Sequence, residues 1–138
     1  MAQVIGVGGV FFKCEDPEGL MAWYHETLGL KLNDYGGSDF LHADSAKAFP
    51  QGARTIFSGF KSETDYFAPS QHVFMINLII DDMDAMLARL KEKGVPLQGE
   101  PQDFDYGRFA WVMDPNGVKV ELWQPIEPEG QITTSPAS

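Results

Sequence analysis

The spacing of hydrophobic and polar positions changes in the same order twice along this chain. Val10-Phe11-Phe12-Lys13-Cys14-Glu15-Asp16 is an apolar run that ends in acid; Leu20, Trp23, Tyr24 and Leu28 then fall largely on one helical face, and Gly29 follows. In the second half Ile76-Asn77-Leu78-Ile79-Ile80-Asp81-Asp82 leads into Met83, Met86, Leu87 and Leu90 at i, i+3, i+4, i+7, with Gly94 beyond. An apolar run giving way to helical spacing predicts a strand followed by a helix in each half, over Pro17 to Leu28 and Met83 to Lys93. Asp16 can cap the first helix, Pro17 suits a first-turn position that needs no backbone donor, and Gly29 can take the left-handed conformation that ends it. A βα unit repeated in a short chain predicts a duplicated fold with a pocket between the copies.

Extended segments with turn punctuation follow each helix. They are Leu30 to Leu32, Asp39 to His42 and Arg54 to Phe60 in the first half, then Val95 to Leu97, Arg108 to Met113 and Lys119 to Gln124 in the second. Each half therefore reads β-α-β-β-β. Asp114-Pro115-Asn116-Gly117 joins a proline that fixes φ to an Asn-Gly pair that tolerates positive φ, so Phe109 to Met113 and Val118 to Trp123 are expected to pair as a hairpin. The division predicted is a first module over 1–62, a connector over 63–72 carrying Tyr66 and Phe67 as a candidate lid, and a second module over 73–125. Residues 126–138, rich in Pro, Glu, Ser and Thr, form a tail expected to be mobile or draped on the surface. The fold class is α+β: two βαβββ modules forming curved mixed sheets around a cleft.

Composition narrows the partners. With 138 residues, 43% of them hydrophobic, the chain can build one domain-sized core. Twenty acidic residues against ten basic ones leave a formal charge of −10, which repels phosphate backbones and anionic lipid, so neither nucleic acid nor a membrane is the expected partner. Cys14 alone cannot form an internal disulfide, no apolar run has the roughly 18 residues of a membrane span, and the N-terminus lacks the pattern of a signal peptide. The expectation is a cytoplasmic protein in which Cys14 is a half-buried structural thiol.

Trp23-Tyr24 with Leu28-Gly29-Leu30, the doubled β-α-β-β-β pattern, and the closing Asp114-Pro115-Asn116-Gly117-Val118-Lys119-Val120-Glu121-Leu122 resemble the vicinal oxygen chelate superfamily over about residues 4 to 125. This is the glyoxalase, bleomycin-resistance and extradiol-dioxygenase group. The resemblance implies that each module curls into half a barrel and that the cleft between them holds a divalent metal or an organic ligand. It also implies a homodimer, with modules exchanged or packed across the twofold axis. Metal enzymes of the group draw ligands from the first strand of each module, commonly His, and from the last strand, commonly Glu. Those positions fall here at about Gly9, Met75 and Glu121, while Arg54 to Phe60 contains no Asp, Glu or His. Glycine supplies no side chain and a thioether is soft, so one matching donor does not make the three or more that zinc or iron requires. His25, His42 and His72 have no metal-ligand spacing as a set.

Without a cofactor, the expected cleft is polar at one point and aromatic around it. Lys119 and Trp123 share a strand face with Glu121 at period two, and Asn77 shares one with Met75. Glu121 is a candidate proton-transfer residue with His42 as its tentative partner. Phe11, Tyr66, Phe67, Asn77, Tyr106, Arg108, Trp111 and Trp123 are the candidate ligand-binding residues; Arg108 can either fork onto an anionic ligand group or pair with Asp103, Asp105 or Glu121. The leading function is a small-organic-molecule binding protein of the glyoxalase and bleomycin-resistance type, without the usual metal. The alternatives are a metal-dependent or acid-base lyase, isomerase or dioxygenase of that type, for which a divalent metal stays open, and an interaction module without a ligand.

Overall fold

The structure, a computed structural model, describes residues 1–127. Residues 128–138, the greater part of the predicted tail, lie outside the described residues.

The first helix, α1 (Pro17–Trp23), starts where Asp16 accepts the Gly19 amide at 3.0 Å, with Pro17 in its first turn. It widens into a single π turn over Tyr24–Leu28 and ends at Gly29. A second short helix, α2 (His42–Ala48), buries no residue. The second half supplies the sheet: β1 (Ile76–Ile79), α3 (Met83–Glu92), β2 (Gln102–Phe104), β3 (Gly107–Met113) and β4 (Lys119–Pro125). Asp82 caps α3 by accepting the Ala85 amide at 3.1 Å, and Gln124 of β4 accepts the Met83 amide at 2.7 Å. The four strands lie in the order β1-β4-β3-β2, with β1 parallel to β4 and the other pairs antiparallel. The molecule is thus mixed α+β, its sheet open and of mixed direction.

Alternation along β3 and β4 sorts the sheet into two faces. Ala110, Val112, Val120 and Leu122 pack with Leu20, Tyr24 and Leu28 from the first helix and with Met83, Met86 and Leu90 from α3. Burying a side chain the size of Met83 or Leu90 contributes about 1.5–3 kcal/mol, and this cluster is the principal cohesion between the two halves. Cys14 is half-buried against the same cluster. The hairpin forms about Asp114-Pro115-Asn116-Gly117 as its sequence predicts, and Gly117 stands at φ 77°. Asp114 takes the Asn116 and Val118 amides on one carboxylate oxygen, at 2.8 and 2.9 Å, and the Tyr24 hydroxyl on the other at 2.5 Å.

The first half departs from its predicted strands. Asp39 to His42 is not a strand, because His42 begins α2; the segments Val10 to Asp16, Leu30 to Leu32 and Arg54 to Phe60 take no place in a ladder among the described residues. A strand exists only with a hydrogen-bonded neighbour, and the runs on either side of Asn33-Asp34-Tyr35-Gly36-Gly37-Ser38 turn through local bonds instead. Asn33 accepts the Tyr35 and Gly37 amides there, at 2.9 and 3.1 Å. Similarly, Val95 to Leu97 in the second half is a loop rather than a strand, and β2 lies further along at Gln102–Phe104.

Candidate functional site

On the face turned away from the helices, one rung crosses three strands. Register pairs Asn77 of β1 with Glu121 of β4, and Trp111 of β3 with the same Glu121. The Glu121 carboxylate, only 8% exposed, therefore receives donors from both neighbouring strands: Asn77 Nδ2 reaches Oε1 at 2.7 Å, and Trp111 Nε1 reaches Oε2 at 2.8 Å. A third donor comes from outside the sheet, the Tyr66 hydroxyl at 2.5 Å from Oε2. All three donors are neutral. Ion pairs among the described residues join Arg108 to Asp84 and to Asp103, and none involves Glu121. A carboxylate out of water requires hydrogen bonds to offset lost hydration, and here dipoles supply them.

Lys119 stands two residues along β4 on the same face. Its ammonium donates to the Tyr66 carbonyl at 2.7 Å and lies 5.1 Å from the Tyr66 ring centroid and 5.9 Å from that of Trp111. Burial draws its pKa below the ordinary lysine value, opposed by the negative charges of Glu121 and Asp65. Tyr66 is pushed the other way: burial and the hydrogen bond to Glu121 raise its phenol well above the usual value, so it stays a neutral donor. Aromatic rings continue outward from this point. Phe60 lies 5.7 Å from Tyr66 and 5.1 Å from Phe67, Trp111 meets Tyr66 edge-on at 6.5 Å, and Phe109 stacks between Trp111 and Trp123 at 6.3 and 6.2 Å. Gly107 is needed for this packing, since a Cβ there would stand 2.3 Å from Trp123 Nε1.

The structure thus brings Glu121, Tyr66, Asn77, Trp111 and Trp123 onto one face, with Phe67 bordering it through Phe60. Tyr106 is at its rim, stacked on Phe104 at 5.3 Å and accepting Trp123 Nε1 through its carbonyl at 3.1 Å. Arg108 lies on the opposite face, held at 3.1 Å by Asp84 of α3 and by Asp103. Adjacent residues of a strand point to opposite sides, so Arg108 cannot share a face with Phe109 or Trp111; the expectation that it stands beside the same cleft is corrected. Phe11 is 95% exposed and stacks with no ring of this group among the described residues. His42 is exposed at the start of α2, and no hydrogen bond joins it to Glu121 among the described residues. Phe60 and Phe109 were not singled out from the sequence. The hairpin register would have found Phe109, because a turn at 114–117 places it opposite Trp123.

The residues do not fit the divalent metal that the family positions imply. Glu121 is enclosed by an indole N–H, an amide N–H and a phenol, of which the first two are donors here rather than metal ligands. No group of three or more His, Cys, Asp or Glu side chains gathers among the described residues. Open cavities of about 330 Å³, beside Val4, Val7, Thr55 and Phe57, and about 390 Å³, beside Pro17, Met21, Leu32 and Tyr35, lie elsewhere. The Tyr66 hydroxyl stands on Oε2 of Glu121.

The model of the Glyoxalase/Bleomycin resistance protein/Dioxygenase superfamily matches residues 7–122, and the chain belongs to that superfamily. Among solved structures, it is similar to a glyoxalase/bleomycin resistance protein from Streptomyces sp. CB03234, with 43% identity and TM-score 0.33 over 36% of this chain and 42% of that one. The match thus spans less than half of that protein. TnmS3, an antibiotic binding protein from the same organism, is 24% identical over 81% of this chain and 88% of its own, with TM-score 0.46. A member of the superfamily from Sphaerobacter thermophilus DSM 20745 is 26% identical over 80% and 90%, also with TM-score 0.46. No curated protein matches the chain.

Proposed function

We propose that this chain binds a small organic molecule with an aromatic surface on the sheet face around Glu121, and does so without the family's divalent metal. The observation that carries the reading is the rung Asn77–Glu121–Trp111: a nearly buried carboxylate, held by neutral donors, set in a wall of Phe60, Tyr66, Phe109, Trp111 and Trp123. A mostly aromatic surface with a single oriented polar point suits a flat ligand fixed in direction by one hydrogen-bonding group. Both Glu121 oxygens already accept hydrogen bonds, which argues against proton transfer as its first use.

The same proposal includes a second copy of the chain and a cytoplasmic setting, in which the lone Cys14 stays reduced. The homodimer is supported by apolar side chains left exposed among the described residues: Val4, Ile5 and Phe11 near the N-terminus and Ile56 and Phe57 before the connector, with Phe57 at 90% exposure. Val4 and Phe57 line one open cavity, exposed apolar surface marks an interface, and segments without a ladder partner can find one in another chain.

The test is a screen of planar aromatic molecules against dialysed protein, read by melting temperature and by the Trp111 indole N–H resonance, with Zn²⁺, Ni²⁺, Mn²⁺ and Fe²⁺ added separately. Saturable shifts with aromatic molecules, none with the metals, and binding weakened roughly ten-fold or more in a folded Glu121→Ala variant are expected, since a hydrogen bond to a charged group contributes about 1.5–3 kcal/mol. A saturable rise in melting temperature with one of the metals would overturn the metal-free reading. Failure of every aromatic molecule to shift the resonance would overturn the binding reading itself.

A further inference from the structure

Tyr66 is unlike the other groups on Glu121. Asn77 and Trp111 belong to strands paired with β4, whereas Tyr66 sits on the connector before β1 and arrives from outside the sheet. Its segment is tied down by few bonds, most of them exposed: the Ser70 hydroxyl to the Gly117 carbonyl at 2.6 Å, the His72 ring to the Asn116 carbonyl at 2.9 Å, and Lys119 to the Tyr66 carbonyl. Tyr66 is itself 39% exposed despite its bond to a carboxylate that is nearly buried. Moving it aside costs the hydrogen bond to Glu121, a loss that an incoming hydroxyl makes good.

We infer that Tyr66 is an internal stand-in for the ligand, and that the molecule this site takes is a neutral, hydroxylated aromatic whose phenolic O–H replaces that of Tyr66 on Glu121. The inference rests on the binding reading above and names the ligand class for the same site. Four neighbours select that chemistry. Glu121 only accepts, so the incoming group must donate, and a ligand carboxylate is repelled. Lys119 lies over the Tyr66 and Trp111 rings, which favours an electron-rich ring and opposes a ligand ammonium in the same place. Phe60 at 5.7 Å and the edge of Trp111 at 6.5 Å already bracket one six-membered ring, that of Tyr66. Because the ligand must first displace the tyrosine, native affinity is the intrinsic affinity multiplied by the fraction of molecules in which the site is open.

The experiment uses p-cresol, which is the tyrosine side chain itself, beside toluene and benzylamine, on the native protein and on Tyr66→Ala. Binding is read from the Trp111 indole N–H resonance, assigned by its loss in Trp111→Phe. The expected result is p-cresol binding to Tyr66→Ala at least about ten-fold tighter than to the native protein, with toluene and benzylamine each at least about ten-fold weaker than p-cresol on the variant. Equal affinity for toluene and p-cresol, or preference for benzylamine, would overturn the phenolic class while leaving aromatic binding intact. Equal p-cresol affinity in the two proteins would overturn the role of Tyr66. Failure of p-cresol on a folded variant, while other aromatic molecules still shift the native resonance, sinks the inference but not the binding reading; silence from every aromatic molecule on both proteins sinks both. Should Tyr66→Ala fail to fold, Tyr66→Phe removes only the O–H, and the same order of affinities with a smaller gain over native is the supporting outcome, an unchanged p-cresol affinity the opposing one.

Discussion

Asp114 and Glu121 are both buried acids, and each is satisfied by a tyrosine from far along the chain. For Asp114 the consequence is stability. Replacing Tyr24 by Phe leaves a carboxylate oxygen without its donor in the core, at a cost of about 1–3 kcal/mol, measurable as a lower urea midpoint with unchanged slope. The pH dependence has a definite sign. Burial first, then the hydrogen bond to Asp114, raises the Tyr24 phenol above its ordinary value, and Tyr66 is raised by burial and by Glu121. Because the unfolded phenols titrate at about 10, the stabilisation from both is whole below about pH 10 and is lost as the pH climbs through the folded-state values. Melting temperature is therefore expected to fall as the pH is raised past about 10, and to fall less steeply in Tyr24→Phe. A slope identical in the two proteins would show that Tyr24 does not contribute. The motif containing Asp114 was legible in the sequence; its bond to Tyr24 was not, because nothing in either local pattern specifies a partner 90 residues away.

Among the elements, the β3–β4 hairpin does the positioning. Its turn was legible because the Asn116-Gly117 pair carries its own backbone preference, and the register that follows puts Trp111 opposite Glu121 and Phe109 opposite Trp123. Applying the same alternation to Arg108 assigns it to the helix-bearing face, where the structure finds it with Asp84. Gly107 then admits the Trp123 indole against the backbone. A Cβ at that position would meet Trp123 Nε1 at 2.3 Å and the Gln124 carbonyl oxygen at 2.9 Å, so Gly107→Ala is expected to destabilise by about 1–3 kcal/mol and to change the near-ultraviolet circular dichroism of the tryptophans. A variant with native stability and an unchanged spectrum would mean that the aromatic wall does not depend on this close approach. Helices α1 and α3 were likewise legible, the first from its cap Asp16 and the second from the spacing of Met83, Met86, Leu87 and Leu90; Asp16 and Asp82 each bind the amide three residues on. The strands foreseen before α1 and at Arg54 to Phe60 depended instead on distant neighbours, which an apolar pattern cannot name.

At the scale of the whole molecule, the complete β-α-β-β-β unit of the second half sits beside a first half whose Val10, Phe11, Ile56 and Phe57 lack full cover among the described residues. If a second copy supplies it, light scattering should give twice the chain mass of 15.3 kDa, and a Phe11→Asp, Phe57→Asp variant should give the single mass with its helices retained by circular dichroism. A native protein of single-chain mass at all concentrations tested would refute the dimer. By itself the sequence determined what depends on near neighbours or on one strand's alternation: the two capped helices, the Asn-Gly turn, the hairpin and the placing of Lys119, Glu121 and Trp123 on one face. Only the tertiary structure decided that Asn77 joins Trp111 beside Glu121, that Tyr66 completes its hydrogen bonds, that Arg108 pairs with Asp84, and that His42 stands elsewhere. Those contacts join parts of the chain through the parallel β1–β4 pairing and the docking of the connector, and closure over such distances is set by packing of the whole, which no local pattern encodes.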